Sequence, residues 1–256
     1  MSDRHVTERL TDEEAKTKLA RKTRRGLLVG GAAAVGVIGF YEWLTRAEAE
    51  DGVPWPQRRV LEMNGTLGRN YLSDGHLMPT FSDADIGGVK PNGNVGIAGP
   101  VTAEDWQFKV EAEGQRQPMK MTIADVKALA RTDLTTRFCC IEGWSGVAHW
   151  SGVRFRDFTE HILGAGATLP RYVYMATADE EYYVGLDMES ALHPQTLLAY
   201  EQNGKPLEEK RGAPLRLAIP VKYGIKNIKR IGLIRYTDKK PADYWADEGY
   251  DWFAGL

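Results

Sequence analysis

The sequence predicts an α+β domain with mixed sheets, and three observations lead there. Apolar and polar residues alternate over several short runs, as in half-buried strands. Other segments carry apolar residues at helical spacing behind a cap signal or ahead of a glycine stop. The chain also holds 27 Gly and 12 Pro, too much punctuation for a helical bundle. Its 256 residues, 43% of them hydrophobic, suffice for a substantial core.

The elements follow in order. Residues 51–100 read as turn-rich, with Pro54-Trp55-Pro56, Asn64-Gly65 and Ser73-Asp74-Gly75 as turn signals. Gly93-x-x-Gly96-x-x-Gly99 lacks the spacing of a dinucleotide fingerprint and reads as an irregular loop that covers a site. Trp106, Phe108 and Val110 alternate as a strand. Thr122-x-x-Asp125 is a capping box opening a helix through Ile123, Val126, Leu129 and Ala130. Thr135 to Ile141 reads as a strand carrying both cysteines. Phe155, Phe158 and Ile162, stopped by Gly164, mark a second helix. Strands are expected at Tyr172–Ala176, at Thr196–Tyr200 before the Asn203-Gly204 turn, over Leu215, Leu217 and Ile219, and at Ile231–Tyr236.

Residues 1–49 stand apart from the single domain expected over 50–256. A polar lead ends in Arg21-Lys22-Thr23-Arg24-Arg25, an uncharged stretch runs from Gly26 to Tyr41, and Ala47-Glu48-Ala49 offers an A-x-A cleavage pattern. Arg24-Arg25 ahead of Gly26-Leu27-Leu28 matches a twin-arginine signal, the address of a pathway that exports folded proteins. The segment therefore reads as a signal peptide or an uncleaved signal-anchor, and the body as periplasmic. Lys and Arg number 33 against 35 Asp and Glu, a formal charge of −2, which argues against nucleic acid as a partner. Setting aside the nine basic and seven acidic residues of 1–49 leaves 24 against 28, a mildly acidic body.

The two cysteines are neighbours, Cys139 and Cys140. Adjacent Cα atoms lie about 3.8 Å apart, below the usual disulfide window, and consecutive strand side chains point to opposite faces. At most one of them serves any given site. His149 and His161 lie near the pair in sequence, but nothing in the sequence fixes a Cys/His nucleophilic geometry. A second cluster, from Arg211 to Arg230, gathers six basic residues and no acidic one. Arg216 and Lys229 there suit a compact anion.

Three ordered stretches carry a resemblance: Cys140-Ile-Glu-Gly-Trp-Ser145, Leu192-His-Pro-Gln-Thr-Leu-Leu198, and Gly212-Ala-Pro-Leu-Arg216 through Lys222-Tyr-Gly-Ile-Lys226. With them the chain resembles the molybdopterin-dependent oxidoreductases of the sulfite oxidase family, its methionine-sulfoxide-reducing members above all. The resemblance implies a sulfite-oxidase-type molybdopterin-binding domain without the C-terminal dimerisation domain, and a molybdenum-molybdopterin cofactor. It further implies that Cys140 ligates molybdenum. Thr177, Arg216, Asn227, Ile228 and Lys229 fall where the family holds the pterin and its phosphate; Arg211, standing before the Gly-x-Pro turn where the family usually has Asn or His, is expected to contact the phosphate, and Asn70 to supply an N-terminal contact. Glu142 is expected to relay protons or order water. The implied activity is oxygen-atom transfer, reducing methionine sulfoxide or another S-oxide, with sulfite oxidation as the alternative and a non-catalytic cofactor-binding or interaction protein of the cell envelope as the reading from another class. The pair of arginines that follows the cysteine in true sulfite oxidases is absent here. With no C-x-x-C-H haem motif, the chain needs an outside electron carrier, a membrane cytochrome b or a soluble cytochrome c. A monomeric catalytic subunit is expected.

Overall fold

The computed structural model describes residues 11–112 and 117–256; the first ten residues of the expected polar lead lie outside the described residues. The chain divides into two compact units, one running to Glu50 and including Pro54–Gln57, the other made of Asp51–Val53 and Arg58–Leu256.

In the first unit, Asp12–Arg46 is one continuous helix, α1. Thr11 caps it by accepting from the Glu14 N–H while the Glu14 carboxylate takes the Thr11 N–H at 2.9 Å. The helix has no buried residue and is long and apolar enough to cross a membrane. Trp43 meets Trp55 edge to face, 5.4 Å between ring centroids. Two-residue strands β1 (Ala49–Glu50) and β2 (Val53–Pro54) follow, then helix α2 (Trp55–Tyr71).

Helix α2 corrects the turn-rich reading of residues 51–71. Pro56 is tolerated because it lies in the first turn, where its missing N–H is not needed. Gly65 and Gly68 are interior; a Cβ on Gly68 would overlap the Phe253 ring, and one on Gly65 would crowd the Phe253 Cβ. Small residues are needed there for packing, so the helix draws its stability from tertiary contact and not from propensity. The buried Arg58 side chain adds hydrogen bonds to the carbonyls of Ala246 (2.7 Å), Tyr250 (3.0 Å) and Asp51.

The second unit is α+β as predicted, with one sheet antiparallel and the other mixed. One sheet orders β10 (Lys205–Pro206), β9 (Leu197–Gln202), β6 (Ser145–Arg154) and β5 (Arg131–Cys139), with β11 (Arg216–Ala218) also paired to β9. The other orders β4 (Met119–Thr122), β3 (Gln107–Glu111), β12 (Ile231–Thr237), β7 (Tyr172–Thr177) and β8 (Tyr183–Asp187). There β12 runs parallel to β3 and antiparallel to β7. Thr122 and Asp125 form the predicted box, opening the short α3 (Ile123–Lys127). Helix α4 (Phe155–Leu163) stops at Gly164, whose φ of +93° suits a residue without Cβ. Phe155, Phe158, Met175, Leu198 and Leu215 lie in the main core. Leu215 and Ile219 flank β11, in which Arg216 and Ala218 are buried as well as Leu217, so the expected alternation is lost in an element covered on both faces. The short helices α5 (Met188–Ala191) and α6 (Tyr244–Asp247) complete the elements used below.

Candidate active site

Strands β5 and β6 form an antiparallel hairpin in which Cys139 faces Ser145, leaving Cys140–Trp144 as the connection. The Cys140 N–H donates to the Trp144 carbonyl (2.9 Å) and the Gly143 N–H to the Cys140 carbonyl (3.1 Å). Gly143 has a φ of +86°, open to glycine at little cost. Cys140 is buried and opens onto a cavity of about 300 Å³, where its sulfur lies 3.9 Å from Asn92 Nδ2. Cys139 is half-buried, does not line that cavity, and burial raises its thiol pKa. Both thiols are free.

One wall of the cavity is cationic. Arg211, Arg216 and Lys229 line it together with Asn227. Arg216 is buried over the Trp150 ring and donates to the carbonyls of Arg211 (2.8 Å) and Asn227 (3.1 Å). Lys229 donates to the carbonyls of Asn92 (2.5 Å) and Gly93 (2.8 Å). Among the described residues neither Arg216 nor Lys229 has a carboxylate partner, whereas Arg211 has the exposed Glu208 at 3.7 Å. Burial, with no counter-charge, pulls Arg216 down to about 10. Burial and then the charges of Arg216 and Arg211 pull Lys229 down to about 8. Three converging cations without sufficient counter-charge are a site for an anion.

The six basic residues of the sequence cluster thus divide by task. Lys222 meets Asp187 at 3.5 Å and Lys226 meets Asp243 at 2.5 Å, both pairs buried. Arg230 binds the carbonyls of Ala98 (2.8 Å) and Gly99 (2.9 Å), pinning the glycine loop. That loop does cover the site: Val89 to Gly93 and Val95 line the cavity.

Thr177, Ile228 and Asn70 are not on the cavity wall, against expectation. Thr177 is buried at the end of β7; its hydroxyl donates to Asp179 Oδ1 (2.5 Å), and it packs under Gly96, so it braces the loop. Ile228 buries its side chain in the main core. Asn70 lies exposed in the last turn of α2. Glu142 does line the cavity, accepting the Trp144 indole N–H at 3.1 Å. That bond, and one with Asn92, hold its carboxyl below the usual range, so near neutral pH it is an ionised acceptor.

The histidines near the cysteines do not join it. His149 meets Thr135 Oγ1 at 2.8 Å on the sheet, and neither His149 nor His161 lines the cavity. His193 is buried and its ring nitrogen takes the Gln195 N–H at 3.3 Å, a structural bond.

Sequence reasoning missed the wall formed by Tyr182, Tyr244, Trp245 and Tyr250. The Trp245 indole donates to the Tyr182 hydroxyl (3.0 Å), which donates to the Ile225 carbonyl (2.6 Å). Its one signal was the density of aromatics after Pro241, a stretch with no periodic pattern. Asp243 builds it, capping α6 through the Ala246 N–H and pairing with Lys226.

Residues 95–245 match the family described as the oxidoreductase molybdopterin binding domain. A chain from Azospira oryzae bearing the name of a protein-methionine-sulfoxide reductase subunit, YedZ1, is 42% identical over 149 residues, 58% of this chain and 56% of that one. The protein-methionine-sulfoxide reductase catalytic subunit MsrP of Xanthomonas campestris is 36% identical over 157 residues, 56% and 48% of the two chains. MsrP of Ralstonia nicotianae is 31% identical over 239 residues, 87% of this chain and 71% of its own. The chain spans about half the length of the first two relatives. A cavity that brings a thiol to three cations, Arg216 and Lys229 among them without a carboxylate partner among the described residues, has its thiol and cations within the matched residues and agrees with that match: the chain belongs to the oxidoreductase molybdopterin-binding domain family, whose cofactor is molybdenum-molybdopterin.

Proposed function

We propose that the chain is an exported oxidoreductase that reduces S-oxides, methionine sulfoxide foremost, at a molybdenum-molybdopterin cofactor held in the Cys140 cavity. The observation that carries the reading is the pairing of a cavity-facing thiol with Arg216 and Lys229, two desolvated cations that have no carboxylate among the described residues. The donor set fits the group. A soft thiolate suits the metal, and an arginine fork with an ammonium suits a phosphate-bearing pterin. Cys140 would ligate the metal; Arg216, Lys229, Asn227 and Arg211 would hold the anionic end.

The bound cofactor supplies the two-electron oxygen-atom chemistry, in which an S-oxide, two electrons and two protons become a thioether and water. The protein orients and shields. The hairpin bonds at Cys140 and Trp144 fix the thiol's backbone, and Asn92 presents its amide to the sulfur. Glu142, ionised and held by Trp144, accepts a proton or orders water at the mouth. The Tyr182–Trp245 wall restricts water on the other side.

Electrons come from outside, from a membrane cytochrome b or a soluble cytochrome c. Export by the twin-arginine route follows from the chemistry, because a cofactor inserted in the cytoplasm crosses only within a folded protein. The exposed α1 then serves as signal or anchor of a periplasmic body.

The test is metal analysis with turnover on protein made in a cofactor-competent host. Molybdenum near one per chain, lost in Cys140→Ser but kept in Cys139→Ser, together with faster reduction of methionine sulfoxide than oxidation of sulfite, is expected. Preferred sulfite oxidation would replace the S-oxide reading, and folded metal-free protein would replace both with a non-catalytic binding role.

A further inference from the structure

We infer that the rim of the Cys140 cavity reads the residues flanking the S-oxide, selecting polypeptide segments with apolar side chains beside the oxidised sulfur. This deepens the S-oxide reading and rests on it.

Among the described residues, three large apolar side chains stand exposed around the mouth: Val95 (43%), Ile141 (38%) and Tyr250 (40%). They come from three separate segments, namely the glycine loop, the hairpin connection and the chain after α6. One exposed apolar side chain is ordinary on any surface. Three converging on one cavity form a patch, and such patches mark recognition surfaces. Trp144 and Trp245, half-buried, continue it inward.

The surface is also held in place. Trp144 stacks on Phe138 at 5.7 Å, Tyr250 meets Trp245 edge to face at 5.1 Å, and Trp245 is tied through Tyr182 to the Ile225 carbonyl. A rigid aromatic platform loses little conformational entropy on binding.

Size and charge choose the occupant. About 300 Å³ is at the lower end of ligand cavities, so a cofactor seated there leaves the substrate to be recognised at the rim. With Arg211, Arg216 and Lys229 given over to the anionic cofactor, the charged groups left among the described lining residues are Glu142 and Lys90, which attract one another across Trp144. In the cofactor-loaded chain that opposed pair favours neither a small oxyanion nor a charged peptide over an apolar one. What distinguishes ligands is the apolar area that they cover.

The experiment measures binding, independently of turnover. Two soluble peptides carrying the product thioether are compared by calorimetry on the molybdenum-loaded full chain, one with Met between leucines and one with Met between glutamates. The apolar peptide is expected to bind about tenfold more tightly, the scale of one well-buried aliphatic side chain. Ile141→Ser, Tyr250→Ser and Val95→Ser, all at exposed positions, should each cut that preference at least about threefold. Equal affinities in the wild type, or a preference that survives all three substitutions, overturns the inference. S-oxide turnover is scored separately: an intact preference without S-oxide reduction rejects the activity reading while upholding the rim's selectivity.

Discussion

The Lys226 ammonium lies 2.5 Å from Asp243 Oδ2, and both side chains are almost sealed from solvent. This pair joins the segment that carries the cavity-lining Asn227 and Lys229 to the helix that carries Tyr244 and Trp245 of the aromatic wall. Lys226 also donates to the Gly185 carbonyl (2.9 Å), and Asp243 accepts the Gly185 N–H (3.1 Å), so both clasp β8.

Asp243→Asn leaves Lys226 buried without its counter-charge. Stranding one member of a buried pair costs about 3–5 kcal/mol, most of it the penalty of the uncompensated charge. Urea unfolding should show that loss. Lys226→Met combined with Asp243→Asn should recover much of it, because an apolar stem replaces the stranded ammonium. Additive losses in the double variant would contradict this account.

Most strands were legible because each half-buried run shows one apolar face, as Phe108 and Val110 do in β3. The capping box at Thr122 and the stop at Gly164 worked because each supplies its own local hydrogen bonds or backbone freedom. Helix α2 was hidden because Gly65 and Gly68, poor helix formers, are chosen by Phe253, nearly 200 residues away. At the site, Cys140, Glu142, Arg211, Arg216, Asn227 and Lys229 share the cavity wall, and motif order in the sequence pointed to all six. Motif order carries no orientation, so it does not distinguish Ile228, whose side chain faces the core, from its neighbours Asn227 and Lys229. The aromatic wall has no motif; it depends on Asp243 meeting Lys226, a relationship only the fold reveals.

The Lys229 shift sets opposite pH dependences for stability and for anion binding. Its folded pKa lies near 8, below the usual lysine value of 10.5. Between those pH values the unfolded chain binds more protons than the folded one, so this group's contribution to the stability of the cofactor-free chain rises with pH. Anion affinity goes the other way, since the ammonium charge is lost as pH passes 8. Sulfate, which does not titrate in this range, should bind the cofactor-free chain more weakly above pH 8, by up to about tenfold per pH unit. Lys229→Gln should flatten that dependence in the same titration. A wild-type affinity that stays level from pH 7 to 9.5 would contradict the shift.

The two thiols should differ in alkylation. Burial raises the Cys139 pKa, so near neutral pH its thiolate fraction is smaller than that of an ordinary cysteine. Iodoacetamide should modify it slowly at pH 7.5, with a rate climbing past pH 9. In molybdenum-loaded protein Cys140 should be protected while Cys139 keeps that slow profile. Peptide mapping after timed quenching distinguishes the two, and rapid modification of Cys139 at pH 7.5 would count against the assignment.

Gly146, the second residue of β6, sets the distance between the hairpin and the glycine loop. The Gly87 N–H donates to the Val147 carbonyl (3.0 Å), and the Val147 N–H returns a bond to Gly87 (2.8 Å). A Cβ on Gly146 would overlap the backbone of Gly87, Gly88 and Val89, which cannot swing aside as a flexible side chain can. Gly146→Ala should therefore break that bridge and lift the loop, costing about 1–3 kcal/mol in the range typical of overpacking. The loop places Asn92 beside the Cys140 sulfur and gives Lys229 its carbonyl partners. Hydrogen exchange should accordingly rise at Gly87 and Val147, with sulfate affinity falling in the same variant. If exchange rises while sulfate affinity stays unchanged, the loop shapes the cavity mouth without organising its cationic wall.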